Sequence, residues 1–202
     1  PYYYQKGTDS NLDRLNKLLE QNNIHFIDLK KAFQNEEEVL YFKRDSHWNN
    51  KGAVLAYNEM LDTLGKEHET YLNVPYEVRA DHTGDIDEIL YPLAAEKEED
   101  FYYDKDWKYQ YVNDVVDNMD AWIETVNPEK EGFFLMYRDS FGESILPFLA
   151  EEYGNAYFSR LVPYNLGNVI EYHPDTVIIE RVERKIAAFA TEIPIMEAPE
   201  TD

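Results

Sequence analysis

The chain has 202 residues, and its 41 acidic and 19 basic side chains give a formal charge of −22. This length suits one domain of ordinary size, and 44% hydrophobic residues exclude a disordered acidic tail. The charge disfavours nucleic acid and anionic membranes as direct partners, because both are bound mainly through Lys and Arg. Since the sequence has no cysteine, disulfides, Cys-ligated zinc and Cys nucleophiles are excluded.

No apolar run approaches the ~18 residues needed to cross a bilayer, so we expect no membrane insertion by this segment. The sequence starts at Pro1 without Met. We therefore expect a processed or shortened piece, with any signal peptide or anchor upstream.

The first part of the chain predicts two helices joined by short extended segments. Ser10 can cap a helix whose leucines recur at helical spacing as far as Asn22. Ile24–Leu29 is typical of a short strand and Lys30–Phe33 of a short helix, and Val39–Lys43 is typical of another strand or an extended segment. Asn49 or Asn50 can cap the second long helix. Its expected buried stripe is Ala53, Ala56, Tyr57, Met60, Leu61 and Leu64.

The region from Tyr71 to Tyr111 is less regular. Its aromatic residues alternate with polar ones over Trp107–Tyr111, which predicts a half-buried strand that turns back on Phe101–Tyr103 as a hairpin. The aromatic rings could stack on sugars, although core packing is the simpler interpretation. The acidic runs Glu36–Glu38 and Glu96–Asp100 are interpreted as solvated loops.

The last part of the chain predicts alternating strands and helices. Gly132–Tyr137 is an almost continuous apolar run, as expected of a strand covered on both faces. A helix over Ser144–Tyr153 follows, and then two strands at Ala156–Phe158 and Thr176–Val182. The whole pattern predicts an α/β fold, a three-layer sandwich with a mainly parallel central sheet.

Ser140 lies where the apolar strand turns sharply into the next helix. In doubly wound sheets ligands bind at the carboxyl ends of strands, and the amides that open the helix can stabilise an oxyanion. A serine at this place is either a nucleophile or simply the cap of that helix. Taken alone, the cap is the simpler interpretation.

Asp45 and His47 lie in a polar loop before a capped helix. An imidazole held there between a serine and a carboxylate would follow the logic of a Ser-His-Asp triad. Chain order is no obstacle, because triads occur in several orders. For an isolated Asp-x-His pair, however, a solvated loop histidine beside a capping aspartate is the simpler interpretation.

The two segments together resemble the SGNH-hydrolase-like proteins of polysaccharide O-acetylation, the AlgX/AlgJ and DHHW group. Asp45-Ser46-His47-Trp48-Asn49 with Gly52 is similar to the histidine block of SGNH (GDSL) esterases. Arg138-Asp139-Ser140-Phe141 is similar to their nucleophile block, with Arg in place of Gly. The order is reversed relative to those esterases, as in a circularly permuted fold.

Other segments extend the resemblance over most of residues 10–186. Leu12–Leu29 resembles the helix and strand before the histidine block, and His82–Ile86 resembles a Gly-Asp-Leu element between the blocks. Pro174–Glu180 with Glu183-Arg184 resembles the family's tail. We expect one domain over residues 1–202, with an aromatic and acidic insertion at about residues 71–125.

The resemblance implies that Ser140 is the nucleophile, His47 the general base and Asp45 the acid that orients it. The Ser140 amide is one expected oxyanion donor, and Asn165, in the segment Tyr164–Asn168, is a second candidate. Arg44 and Arg138 adjoin the two blocks and either hold an anionic group of the substrate or pair with surplus acids. Trp48 is a further candidate substrate contact.

The remaining histidines have simple interpretations. His82, among Asp81, Asp85 and Asp87, is interpreted as part of a solvated acidic turn, because its spacing does not match a Ca²⁺ loop. We assign no metal ligand and expect no cofactor.

The resulting hypothesis is serine-dependent acyl transfer through an acyl-Ser140 intermediate, with O-acetylation of a cell-surface or secreted polysaccharide. The resemblance also implies a bacterial extracellular or cell-envelope location and work beside a membrane acyl-donor protein. Two alternatives stay open: a carbohydrate acetylesterase, and a non-catalytic polysaccharide-binding or scaffold protein on the same fold. The charge of −22 favours a neutral or amino-sugar polymer over a heavily anionic one.

Overall fold

The computed structural model describes residues 9–196, so the ends of the predicted domain, residues 1–8 and 197–202, lie outside it. Its helices are α1 (Asn11–Gln21), α2 (Leu29–Gln34), α3 (Asn50–Leu64), α4 (Asp85–Leu90), α5 (Gly142–Glu152) and α6 (Gly167–Tyr172). Its strands are β1 (Tyr76–Thr83), β2 (Lys97–Tyr103), β3 (Gln110–Tyr111), β4 (Trp122–Val126), β5 (Phe133–Tyr137), β6 (Asn155–Ser159) and β7 (Thr176–Ile179). A 3₁₀ helix follows at Glu183–Ala190.

The main sheet has five strands in the order β3-β4-β6-β5-β7. β5 pairs in parallel with β6 and β7, whereas β4 is antiparallel to both β6 and β3. The predicted α/β class is confirmed. The sheet is mixed rather than mainly parallel, because the region before β5 adds its strands to one side in the antiparallel sense.

Both faces of β5 are covered, as its continuous apolar sequence predicts. Phe134 and Met136 pack into the larger core with the buried faces of α3 and α5. Leu135 and Tyr137 point to the other face, where Tyr164 completes a smaller cluster. The carboxyl end of β5 is therefore held between two layers, which fixes where the following turn begins.

The two long helices near the amino end begin at the predicted caps. Ser10 and Asp13 form a reciprocal capping box on α1. Asn49 caps α3 by accepting the Gly52 amide N–H, and Gly65 ends it in the left-handed region at φ 67°. The predicted stripe of α3 is buried except at Leu64, which lies in its last turn and is 43% exposed.

One local prediction in this part of the chain is wrong. Ile24–Leu29 is not a strand: the segment runs without regular structure into α2, which begins at Leu29 with Asp28 as its cap. Residues 39–43 contribute a single bridge, from Tyr41 to Trp48. Ile24–Leu29 pairs with no strand of the described residues, so its local preference for strand is overridden, whereas Val39–Lys43 stays an extended segment with one bridge.

A second sheet has two strands, β1 and β2, paired antiparallel. The predicted hairpin between Phe101–Tyr103 and Trp107–Tyr111 is therefore wrong, because Phe101–Tyr103 belongs to β2 and Gln110–Tyr111 joins the edge of the main sheet. The single domain with an insertion at about residues 71–125 stays a prediction. Within residues 9–196, no helix is both long and apolar enough to cross a bilayer.

Candidate active site

Ser140, His47 and Asp45 lie in one hydrogen-bonded line. The Nε2 atom of His47 is 2.7 Å from the Ser140 hydroxyl, and its Nδ1 atom is 2.6 Å from Oδ1 of Asp45. The His47 side chain is 26% exposed, while that of Asp45 is 5% exposed. With the acid buried and the base at the surface, the carboxylate can fix the Nδ1–H tautomer and leave Nε2 free to accept the serine proton.

The turn after β5 presents Ser140 without using its hydroxyl as a helix cap. The residue at the cap position of α5 is Phe141, whose N–H is bound by Oδ1 of Asp139 at 2.9 Å. The turn also uses the N–H groups of Asp139 and Glu143 in hydrogen bonds, but not that of Ser140 among the described residues. The Ser140 N–H at the start of α5 is therefore free to bind an oxyanion.

Glu180 supports this turn from below. Its Oε2 atom accepts the Asp139 N–H at 2.8 Å, and Oδ2 of Asp139 accepts the Val182 N–H at 2.9 Å. Burial, followed by the nearby charge of Asp139, raises the pKa of Glu180 to about 8. The residues just after β7 thus fix the backbone on which Ser140 stands.

Carboxylates from distant segments hold the loop that carries His47. Glu98 accepts the N–H groups of Lys43 and Arg44 at 2.8 and 2.9 Å. Asp85 accepts both the N–H and the hydroxyl of Ser46, at 2.8 and 2.6 Å. At the end of the loop, Asp100 accepts the Asn50 N–H and side-chain amide, each at 2.9 Å.

Asp45 accepts more hydrogen bonds than a triad requires. Its Oδ1 binds the N–H and Nδ1 of His47, and its Oδ2 binds Nε2 of His82 at 2.9 Å and the Asp85 N–H at 3.1 Å. Burial acts to raise the pKa of Asp45, but these hydrogen bonds together lower it to about 2. Asp45 is therefore an anion at neutral pH.

A cleft of about 630 Å³ opens over Ser140 and His47. Its titratable lining residues are Asp45, His47, His82, Asp85, Glu88, Asp100 and Glu143, together with tyrosines, and no Lys or Arg of the described residues lines it. Burial raises the pKa of Glu143. Aromatic walls come from β2 and the following segment: Phe101, Tyr102, Tyr103, Trp107 and Tyr109.

Two of the other predicted site residues, Arg44 and Arg138, do not line the cleft. Arg44 pairs with Glu96 and, at 3.5 Å, with Asp87, outside the cleft lining. Arg138 is 1% exposed and donates to the backbone carbonyls of Asn118 and Asp120. It holds in place a segment whose Asn118 and Met119 line the cleft.

Asn165 is not among the residues that line the cleft over Ser140. The Asn165 side-chain oxygen accepts the Gly167 N–H at 3.0 Å, and its carbonyl accepts the Tyr137 hydroxyl. Tyr137 belongs to the smaller hydrophobic cluster, with Leu135 and Tyr164. Trp48 does line the cleft, but it is only 6% exposed, and its indole N–H donates to the Ser144 hydroxyl at 2.7 Å.

Two residues of the site have roles that the sequence did not reveal. His82 is not part of a solvated turn but contacts Asp45 directly, and Glu180 lies beneath the nucleophile turn. Each lies in a segment that resembles a family element, which was a signal in the sequence. Such a resemblance does not say which residues are in contact. Asp45, His47 and Asp85 also offer ligand atoms within 4.8 Å of one another, all already engaged in hydrogen bonds.

Gly84 allows α4 to approach the loop that carries His47, which we call the base loop (residues 43–50). The variant Gly84→Ala tests this contact. A Cβ at Gly84 would lie 2.0 Å from the Arg44 carbonyl oxygen, so the loop must shift. We expect a loss of about 2 kcal/mol or more of unfolding free energy in urea. Gly65→Ala is the control, since its Cβ meets nothing within 4 Å and only φ 67° is strained. Equal losses in both variants would contradict the contact.

Glu180→Gln tests the buried carboxyl through the pH dependence of stability. A raised pKa means that the folded chain keeps this proton between about pH 4.5 and 8 while the unfolded chain releases it, so the carboxyl costs stability as the pH rises. We therefore expect Glu180→Gln to gain in melting temperature relative to the wild type between pH 5 and pH 8. The exposed Glu20→Gln serves as the control, and an offset for Glu180→Gln that is the same at every pH would contradict the assignment.

Comparison with solved structures finds the same fold. A DHHW family protein from Eubacterium siraeum superposes with a TM-score of 0.69 at 14% identity, over 91% of this chain and 74% of that one. Bacillus cereus PatB1 gives a TM-score of 0.70 at 19% identity, over 87% and 75%. The O-acetyltransferase domain of Pseudomonas putida AlgJ gives 0.51 at 14% identity, over 93% and 72%.

A search among curated proteins gave no match. Residues 1–120, more than half of the chain, match the family described as the SGNH hydrolase-like domain of the acetyltransferase AlgX. The matched stretch includes Asp45, His47 and His82 and ends before Ser140. The fold and this match agree with the resemblance of the two sequence blocks, and the chain belongs to the AlgX-type SGNH hydrolase-like acetyltransferase family.

Proposed function

We propose that this protein transfers an acyl group, most simply acetyl, from an ester or thioester donor to a polysaccharide hydroxyl through acyl-Ser140. The observation that carries the proposal is the line from Ser140 through His47 to Asp45, with separations of 2.7 and 2.6 Å. The neighbour described as an O-acetyltransferase domain supports the same reaction class.

The residues can perform both halves of such a transfer. His47 Nε2 takes the Ser140 proton as Oγ bonds to the acyl carbon, and it returns that proton to the departing donor oxygen or sulfur. In the second half, the acceptor hydroxyl gives its proton to His47 and attacks the acyl carbon. The bond to Ser140 Oγ then breaks, and the serine recovers the proton. Asp45 stays ionised and stabilises the imidazolium in both halves.

The developing oxyanion has a donor in the Ser140 N–H, which precedes the 11-residue helix α5. The helix N-terminus adds a favourable electrostatic field for negative charge at this point. Asn165 is not proposed as a donor, because it is not among the residues that line the cleft over Ser140.

The cleft supports a neutral or amino-sugar acceptor. The acidic side chains of Asp45, Asp85, Glu88, Asp100 and Glu143 line it without a neighbouring Lys or Arg among its described lining residues, so a polyuronate would meet like charge. Of the two roles expected for Arg44 and Arg138, anion binding is not proposed, because Arg44 pairs with Glu96 and Arg138 donates to the Asn118 carbonyl. Tyr102 and Trp107 offer aromatic surface for sugar rings.

We further propose that the protein works in the bacterial cell envelope or outside the cell, beside a membrane protein that supplies the acyl group. Family membership supports this setting, and the proposed reaction needs a source of acyl groups. The rivals are an acetylesterase, in which water takes the acyl group, and a non-catalytic glycan-binding protein.

Ser140→Ala tests the nucleophile. We expect hydrolysis of a small aryl acetate to fall by about 10³-fold or more, and labelling by a fluorophosphonate to disappear, because no other hydroxyl contacts His47 among the described residues. Ser10→Ala, a serine that caps α1, is the matched control and should keep both signals. Full activity in Ser140→Ala, or an unlabelled wild type, would exclude the mechanism, and the second result would favour the binding protein.

Acceptor competition separates transfer from hydrolysis and tests the charge of the glycan. With an aryl acetate donor, mass spectrometry should find O-acetylated product on neutral or amino-sugar oligosaccharides. At low salt, a uronate oligosaccharide of equal length should give at least about tenfold less product, and added salt should narrow the gap by screening. Free acetate alone with every acceptor would identify an esterase. Equal, salt-independent transfer to uronates would contradict the charge argument.

A further inference from the structure

We propose that His82 is a positioning residue that fixes the rotation of the Asp45 carboxylate toward His47. The inference rests on the proposed function, since it assigns a second histidine to the acid of the same site. His82 does not reach Ser140 in the hydrogen-bond network; it acts through Asp45 alone.

The two carboxylate oxygens of Asp45 have separate partners. Oδ1 takes both groups of His47, its N–H at 2.9 Å and its Nδ1 at 2.6 Å. Oδ2 takes Nε2 of His82 at 2.9 Å and the Asp85 N–H at 3.1 Å. Without His82, a single amide at the longer distance would remain on Oδ2. The carboxylate could then rotate about its Cβ–Cγ bond, which would misalign the short bond to His47.

Burial makes the second partner important. The Asp45 side chain is only 5% exposed, so water has little access to an oxygen that loses its donor. A buried anion with an unfilled acceptor site is costly, and the carboxylate is expected to turn until both oxygens are satisfied. In that way the loss of His82 would be felt at Nδ1 of His47.

The fold places His82 with a β-bulge and an aromatic partner. In β1 the register shifts between Ala80 and His82: Ala80 faces Glu99, whereas His82 faces Glu98, so Asp81 is the extra residue. Bulges redirect a side chain at the point where they occur and are common next to active sites. The His82 ring then stacks on Phe42, with ring centres 3.8 Å apart and planes 11° apart.

The contact requires a particular tautomer. For neutral His82 to donate to Asp45, the proton must be on Nε2, because Oδ2 of an ionised carboxylate can only accept. A structural role limited to stacking on Phe42 would place no demand on either nitrogen. The two roles can therefore be separated by variants that keep the ring or keep the donor.

The experiment compares His82→Phe, which keeps a ring to stack on Phe42, with His82→Gln, whose amide can donate near the position of Nε2. For aryl acetate hydrolysis we expect His82→Phe to lower kcat about tenfold with little change in KM, and His82→Gln to recover to within about threefold of the wild type. His68→Gln is the matched control, because His68 is a half-buried histidine bound to Asn58 and the Lys66 carbonyl, away from the cleft. It should retain full activity.

Equal losses in His82→Phe and His82→Gln, a loss confined to KM, or no loss in His82→Phe would each overturn the proposal. If the variants fail to fold, ¹⁵N NMR of the unmodified protein decides, because a His82 that carries its proton on Nδ1 cannot donate to Asp45. This NMR measurement needs no activity. An inactive wild type with Nε2-protonated His82 would thus refute the proposed function and leave the contact standing.

Discussion

The site depends on the capture of backbone N–H groups by carboxylates. The loop from Lys43 to Asn50 has little regular structure of its own, and its amides need acceptors from elsewhere. The acceptors are Glu98 for Lys43 and Arg44, Asp85 for Ser46, Asp45 for His47 and Asp100 for Asn50. Hydrogen bonds to charged acceptors are shorter and stronger than neutral ones, so together they give an irregular segment one conformation.

This use of carboxylates changes the meaning of the acidic composition. The segment Glu96–Asp100, which resembles a solvated run in the sequence, lies mostly in β2 and supplies Glu98 and Asp100 to the base loop. Some of the surplus acidic residues therefore bind backbone N–H groups, and some line the cleft. Asp85 and Asp100, which hold the loop of His47 in place, also give the cleft lining its negative charge.

The sequence was informative where a signal is local and repeated. The apolar run of β5, the periodicity of α3 and the caps at Ser10 and Asn49 all correspond to the structure. The proximity of Ser140 to His47 came from the order of two blocks in a family, since no local pattern relates residues 93 positions apart.

Contacts that arise only in three dimensions were not predictable. The partner of β2 is β1, which precedes it across α4, and the nearer Trp107–Tyr111 segment was the more obvious choice. His82 follows a bulge in β1 and binds Asp45, and the importance of Glu180 lies in a buried bond to the Asp139 amide. Short strands such as the one expected at Ile24–Leu29 fail for the same reason, because strand formation needs a partner that the segment does not specify.

The support beneath the nucleophile turn has a consequence for synthesis on the ribosome. Asp45, His47 and Ser140 all precede Glu180 and Val182, the residues that bind the Asp139 backbone and side chain. The three reactive side chains therefore leave the exit tunnel before the residues that hold the turn of Ser140. A nascent chain that ends before β7 would carry all three reactive side chains. It would lack Glu180 and Val182, which hold the turn of Ser140. β7 and the residues just after it are therefore the last part of the site to be synthesised.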